Sequence, residues 1–153
     1  MKTFQLVSLQ VLLFENEKVV HRPVPVQEGL IINREESQST WLIEAVIPTD
    51  QKKFLEQIRN KTLVFEVVIT ESNNDPALMT GEIRDFIELS DTYSLMIDAK
   101  MAAGKDDVSN LILDGLIQDD YSGDELLNEF IYRKGDQVAW SKKLAENIYK
   151  DMK

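Results

Sequence analysis

Apolar residues return at every second position through most of the first hundred residues, and that spacing commits the chain to β-strands. Ser39–Ile47 is the clearest case. Trp41, Ile43, Ala45 and Ile47 share one side, and Thr40, Leu42, Glu44 and Val46 the other. Lys61–Thr70 repeats the pattern with Leu63, Phe65, Val67 and Ile69 on one face. Leu78–Leu89 and Thr92–Met101 read as a hairpin around Ser90-Asp91, with Tyr93, Leu95, Ile97 and Ala99 facing one way. Thr3–Phe14 sets Phe4, Leu6, Leu12 and Phe14 on one face and Val7, Leu9, Val11 and Leu13 on the other. Both faces are apolar near its end, as in a strand covered on two sides.

Breakers separate these runs. Val19–Val26 holds Pro23 and Pro25, whose missing N–H groups exclude a central strand position. Gly29 opens a short strand, Leu30–Asn33, that ends in a polar turn over 34–38. Pro48 ends the Ser39–Ile47 strand. Thr49 or Asp50 can then cap a short helix with Phe54, Leu55 and Ile58 at helical spacing. Asn73-Asn74-Asp75-Pro76 predicts a turn, because Asn and Asp tolerate left-handed backbone and Pro fixes φ.

After Gly104 the period changes. Val108, Leu111, Ile112, Gly115 and Leu116 fit a helix, while Asn110–Ile117 also reads as a last strand. Ser122-Gly123-Asp124-Glu125 has the form of a capping box ahead of Leu126, Leu127, Phe130 and Ile131, and Gly135 marks a stop or hinge. A final helix from about Asp136 to Asp151 gathers Val138, Leu144, Ala145, Ile148 and Tyr149 on one arc, flanked by Trp140. Lys142, Lys143, Glu146 and Lys150 fall opposite. The fold class predicted is mainly β (α+β): a small antiparallel barrel or sandwich of six to eight strands with one short inserted helix. Residues 1–103 form this core, and 104–153 a helical pair packed on it, in one compact domain.

Bulk properties narrow the function. A chain of 153 residues, 43% hydrophobic and 29% charged, supports one folded domain and not disorder. No cysteine is present, which removes disulfides, thiolate metal sites and cysteine nucleophiles, and fits a reducing compartment. The N-terminus alternates and so does not resemble a signal peptide, and the longest apolar run is the four residues Val11–Phe14, so a cytoplasmic protein is expected. Net charge is −10, which repels nucleic acid and anionic membranes; neither is an expected partner. The charge is uneven. Residues 106–129 carry eight acids and no Lys or Arg, whereas 130–153 carry six basic residues against three acids. Opposite charge on successive segments favours their pairing.

Chemical motifs fail one by one. The single histidine, His21, lies beside the proline-containing segment and reads as a solvated surface residue, and no Gly-x-Ser-x-Gly elbow accompanies it. The six glycines stand at least eight residues apart, so no phosphate-cradling loop forms. A calcium loop begun at Asp120 has Glu125 where Gly is required and Ile131 where the bidentate Glu belongs. Asn60-Lys61-Thr62 is a glycosylation sequon without a secretion signal to make it relevant. Glu44, Glu66, Glu82, Asp85 and Asp98 lie on strands, where carboxylates usually mark the solvent face, although some must be neighbours. No catalytic residue, cofactor or metal is expected. Trp41 reads as core. Trp140, at the margin of its helix's apolar arc, either seals the helix onto the barrel or meets a partner.

Met1–Val11, Gly29-Leu30-Ile31-Ile32-Asn33, Ser39–Ala45 and the turn Asn74-Asp75-Pro76-Ala77 resemble the YwpF-like family, small proteins of low-GC Gram-positive bacteria. The resemblance is close over about residues 1–100 and looser beyond. It implies a β-barrel core with a C-terminal helical pair, a barrel similar to the haemolysin-coregulated tube protein of type VI secretion, and supplies no catalytic or binding residue. The expected role is therefore a non-enzymatic interaction or structural module with a protein partner, Trp140 being the candidate contact. The alternatives are an oligomeric ring or assembly subunit, for which the sequence gives no positive sign, and a carboxylate-based hydrolase or small-ligand-binding barrel.

Overall fold

Burying alternate residues of six strands in one interior requires the sheet to curl back on itself, and it does. The computed structural model describes residues 2–35, 40–72, 74–103 and 105–152. Residues 36–38 of the expected turn, Asn73 and Gly104 lie outside the described residues. The strands are β1 (Lys2–Glu15), β2 (Lys18–Val24), β3 (Glu28–Arg34), β4 (Thr40–Pro48), β5 (Leu63–Ile69), β6 (Ala77–Glu88) and β7 (Thr92–Ala103). A 3-10 turn (Thr49–Gln51) leads into helix α1 (Lys52–Ile58). Three helices end the chain: α2 (Lys105–Gln118), α3 (Gly123–Gly135) and α4 (Gln137–Asp151). The segment 110–117, readable either way in the sequence, is helical, so a third helix stands beside the expected pair.

All pairings are antiparallel. Strand β1 pairs through Lys2–Gln5 with β3, and through Leu9–Glu15 with β2. Its other edge pairs with β5, closing the order β1-β3-β4-β7-β6-β5 into a six-stranded barrel with β2 as an extra strand. Among the described residues β2 pairs with β1 alone, which is the edge position that Pro23 demands. The interior holds Leu9, Val11, Ile31, Ile43, Ala45, Ile47, Phe65, Val67, Met79, Leu95, Ile97 and Ala99. Leu55 and Ile58 of α1 join this core, and Arg22 lies 4.6 Å over the Phe54 ring. At Gly81 a Cβ would stand 2.5 Å from the Asp98 carbonyl oxygen, so only glycine lets β6 and β7 approach this closely.

One face assignment in β1 changes. Alternation groups Leu6 with Leu12 and Phe14, yet Leu6 is interior with Leu9 and Val11, while Leu12 and Phe14 face outward to the helices. A register shift against β5 between Leu6 and Ser8 is the cause, since one extra residue inverts the parity of everything beyond it.

Strands β1, β5 and β6 carry a second core on their outer face. Leu12, Val64 and Leu78, with Val19 of β2, pack under Val108, Ile112 and Leu116 of α2 and Trp140, Leu144, Ala145 and Tyr149 of α4. The first six residues of β5 are consequently buried on both faces. Each large side chain buried here contributes about 1.5–3 kcal/mol. The ion pairs outside, Arg133 with Asp119 (2.8 Å) and Glu129 (3.2 Å), are open to solvent screening and add little. Packing, not charge pairing, holds the helical layer. No helix among the described residues is long and apolar enough to cross a membrane.

The two cores meet at Tyr149. Leu12 and Val64 are register partners across the β1–β5 seam that closes the barrel. The Val64 N–H donates to the Tyr149 hydroxyl at 2.9 Å, and that hydroxyl donates to the Leu12 carbonyl at 2.5 Å. A side chain of the last helix thus completes the ladder. Burial pushes the Tyr149 phenol above its ordinary value, opposed in part by the Val64 N–H, which favours the phenolate.

Tyr149→Phe leaves a buried N–H and C=O without this partner and is expected to cost about 1–3 kcal/mol in urea unfolding; a cost below about 0.5 kcal/mol would mean the strands close directly. Because the folded pKa is raised, Tyr149's contribution is intact below about pH 10 and is lost as pH climbs through the folded value. Ultraviolet titration, compared with that of Tyr149→Phe, should show Tyr149 ionising late and together with unfolding.

Candidate interaction surface

The helical layer is built with sharp joints. Ser122 precedes α3 in extended conformation, but its side chain makes no capping bond, so the expected capping box is not formed. Asp124 and Glu125 in the first turn favour the positive end of the helix dipole instead. Asp136 alone separates α3 from α4: it ends the one, and its carboxylate accepts the Ala139 N–H at 3.3 Å to cap the other. Val138, placed on the apolar arc by periodicity, is 55% exposed in the first turn of α4.

Where α2, α3 and α4 meet, a cleft of about 450 Å³ opens. Its apolar lining is Leu111 and Ile112 of α2 with Ala139 and Trp140 of α4. Tyr132 and Arg133 of α3 form another wall, Gly115 of α2 faces it with no side chain, and Asp114, Gln118, Asp136 and Lys143 complete the rim. Trp140 is 6% exposed, packed in the outer core, and its indole N–H donates to the Lys134 carbonyl at 3.0 Å, satisfying an acceptor near the end of α3. The cleft wall keeps its shape because Arg133, which also lies 5.5 Å over the Tyr121 ring, is held by Asp119 and Glu129. Elsewhere α3 contributes no fully buried residue, and Leu127, Ile131 and Tyr132 are 58%, 63% and 73% exposed.

A second group of polar residues was not readable from the sequence. Glu66, expected on a solvent face, is 2% exposed because α4 lies over it. Its Oε1 accepts from the Gln137 amide at 2.8 Å, and its Oε2 accepts a short hydrogen bond from the Ser141 hydroxyl. His21, expected to be solvated, is only 15% exposed; its Nε2 stands 3.4 Å from both Ser141 Oγ and Glu66 Oε2. Beside them lies a cavity of about 360 Å³ lined by Gln10, Val20, Val138 and Lys142 among others. Ser, His and a carboxylate therefore converge from α4, β2 and β5. In a nucleophilic triad the imidazole bridges serine and acid with its two separate nitrogens. Here both neighbours share Nε2 and the serine donates to the acid, an arrangement that positions α4 on the barrel.

The strand carboxylates are also neighbours. Glu82 and Asp98 are direct cross-strand partners on the outer wall, beside a cavity of about 410 Å³. Asp98 accepts from Arg34 at 3.0 Å and has Arg84 at 3.8 Å; Glu82 accepts from Thr62 at 2.7 Å. Arg34, assigned to a polar turn, is 7% exposed and supports this network. Among the described residues no three His, Asp or Glu side chains cluster as metal ligands.

A family model described as YwpF-like protein matches residues 2–133, the barrel together with α2 and most of α3. The chain belongs to the YwpF-like family. The uncharacterized protein YwpF of Bacillus subtilis (strain 168) is 33% identical over 133 residues, spanning 85% of this chain and 97% of that protein. A hypothetical protein from Staphylococcus aureus, with a crystal structure, is similar at 30% identity and TM-score 0.60, covering 85% of this chain and 90% of that one. The YwpF-like match stops before α4, so Glu66 and His21 lie within it while Ser141, Gln137 and Trp140 lie beyond.

Ser141→Ala removes a hydroxyl donor from a buried carboxylate and is expected to destabilise by about 2 kcal/mol. In a Glu66→Leu background the same change should cost less than about 0.5 kcal/mol. Urea unfolding of the four proteins in this cycle measures the coupling; equal costs in both backgrounds would show the two residues act separately.

Proposed function

We propose that this chain is a non-enzymatic protein-interaction module whose contact surface is the cleft between α2, α3 and α4. The observation that carries the reading is the lining of that cleft: Trp140, Tyr132 and Arg133, the three residue types that most often dominate binding energy, converge on one apolar hollow of about 450 Å³. A hollow of this kind is where a partner's side chain gains most from leaving water. Trp140 contributes as a fixed floor and Tyr132 as an exposed wall. A ring-forming subunit is less well supported, since copies of net charge −10 repel one another.

Trp140→Ala is a poor test, because loss of a buried indole costs about 3–5 kcal/mol whatever the cleft does. Gly115 offers a better one. A Cβ there meets the tip of Arg133 at 3.2 Å, so the guanidinium must shift by a few tenths of an ångström against its bonds to Asp119 and Glu129, while a leucine grows into the cleft and replacing a helical glycine gains up to about 1 kcal/mol of helix propensity to offset that shift. Affinity capture from host cells is expected to recover a reproducible partner with the natural chain and to lose it with Gly115→Leu, thermal unfolding of the variant showing beside it that the protein is still folded. Recovery of the same partners by both proteins would overturn the proposal.

A further inference from the structure

Resting on that reading, we infer that the occupant of the cleft is a basic amphipathic helix of another protein, with apolar side chains over Trp140 and Lys or Arg residues along the α2–α3 wall. Charge selects the sign. Residues 106–129, which supply α2 after Lys105 and the first half of α3, carry eight acids and no Lys or Arg, and of these acids Asp114 lines the cleft itself. Asp114 stands exposed on the rim, and Asp136 is part of the same lining. Arg133 does not reverse this, because Asp119 and Glu129 both bond to it and outnumber it. Lys143 lies on the α4 side; the Lys150 ammonium, bonded to Glu146, holds that carboxyl below its usual range, and the charge of Lys143 adds to this.

The overall charge of −10 acts in the same direction at long range: it draws in a cationic partner and disfavours a second copy of this chain. Backbone geometry selects the shape. The cleft is walled by three helices and no strand lines it, so it offers no sheet edge for an extended peptide to pair with. Apolar side chains at helical spacing are what such a hollow accepts, with the polar face of the docked helix turned to the acidic rim.

Labelled model peptides of roughly 18 residues, five helical turns, test this on the full chain by fluorescence anisotropy. One carries Leu on one face and Lys on the other; a second replaces Lys by Glu; a third scrambles the Leu/Lys sequence so that no apolar face remains. The Leu/Lys helix is expected to bind at least about tenfold more tightly than either of the others. Its affinity should fall about tenfold with Gly115→Leu, several-fold with Asp114→Lys, and several-fold as salt rises from about 50 to about 300 mM.

Equal binding of the acidic and basic helices overturns the inference. So does basic-helix binding that Gly115→Leu leaves unchanged, which would be adsorption to an acidic surface, and so does a concentration-dependent dimer in light scattering that Gly115→Leu abolishes. If the Leu/Lys helix fails while Gly115→Leu still abolishes capture of a cellular partner, the basic-helix inference falls and the interaction reading stands. If capture is indifferent to Gly115→Leu, the interaction reading itself has failed.

Discussion

Strand β5 is buried on both faces, and the seam it forms with β1 is finished by the Tyr149 hydroxyl. A dry seam tolerates no unpaired backbone group, because each costs about 1–3 kcal/mol once removed from water. The last helix is therefore part of the barrel's own hydrogen-bond ladder. At its other end Gln137 and Ser141 satisfy the carboxylate of Glu66, so α4 is fixed on the barrel at two polar points with Trp140, Leu144 and Ala145 packed between or beside them. Apolar burial supplies most of the attraction, and the polar points fix where along the barrel the helix sits.

That division explains which surfaces are left over for function. The face of α4 that carries Ser141 and Tyr149 is consumed by the barrel. The opposite side of the helical layer, where α2 and α3 meet Trp140 and Ala139, is only partly filled. The family model matches the barrel, α2 and most of α3, so the floor of the cleft is supplied by an element beyond the matched residues and one wall by elements within them.

The period of two made most of the strands legible, and the face of Trp41–Ile47 and of Leu63–Ile69 could be assigned from alternation alone. Parity in β1 could not, because a bulge is a property of the pairing and leaves no mark in a sequence rich in apolar residues on both faces. Helix 105–118 competed with a strand because its apolar stretch is short and its glycine weakens the helical signal. Glu66 and His21 look solvent-facing in the sequence for one shared reason: a strand residue's burial depends on what covers the sheet, and the cover here is 71 residues or more away in the chain. Trp140 was legible as the edge of an apolar arc, but not as the floor of a cleft, since that requires the sharp joint at Asp136 to bring α3 over it.

Native-state hydrogen exchange at the Val64 amide tests most directly whether the tail closes the barrel. The Val64 N–H and the interior amides of α4 are expected to exchange with the same free energy, equal to that of global unfolding, because the helix cannot leave without exposing the seam. Exchange of the α4 amides through a low-energy opening, while Val64 keeps the protection of global unfolding, would show that the barrel closes by itself and would contradict the account.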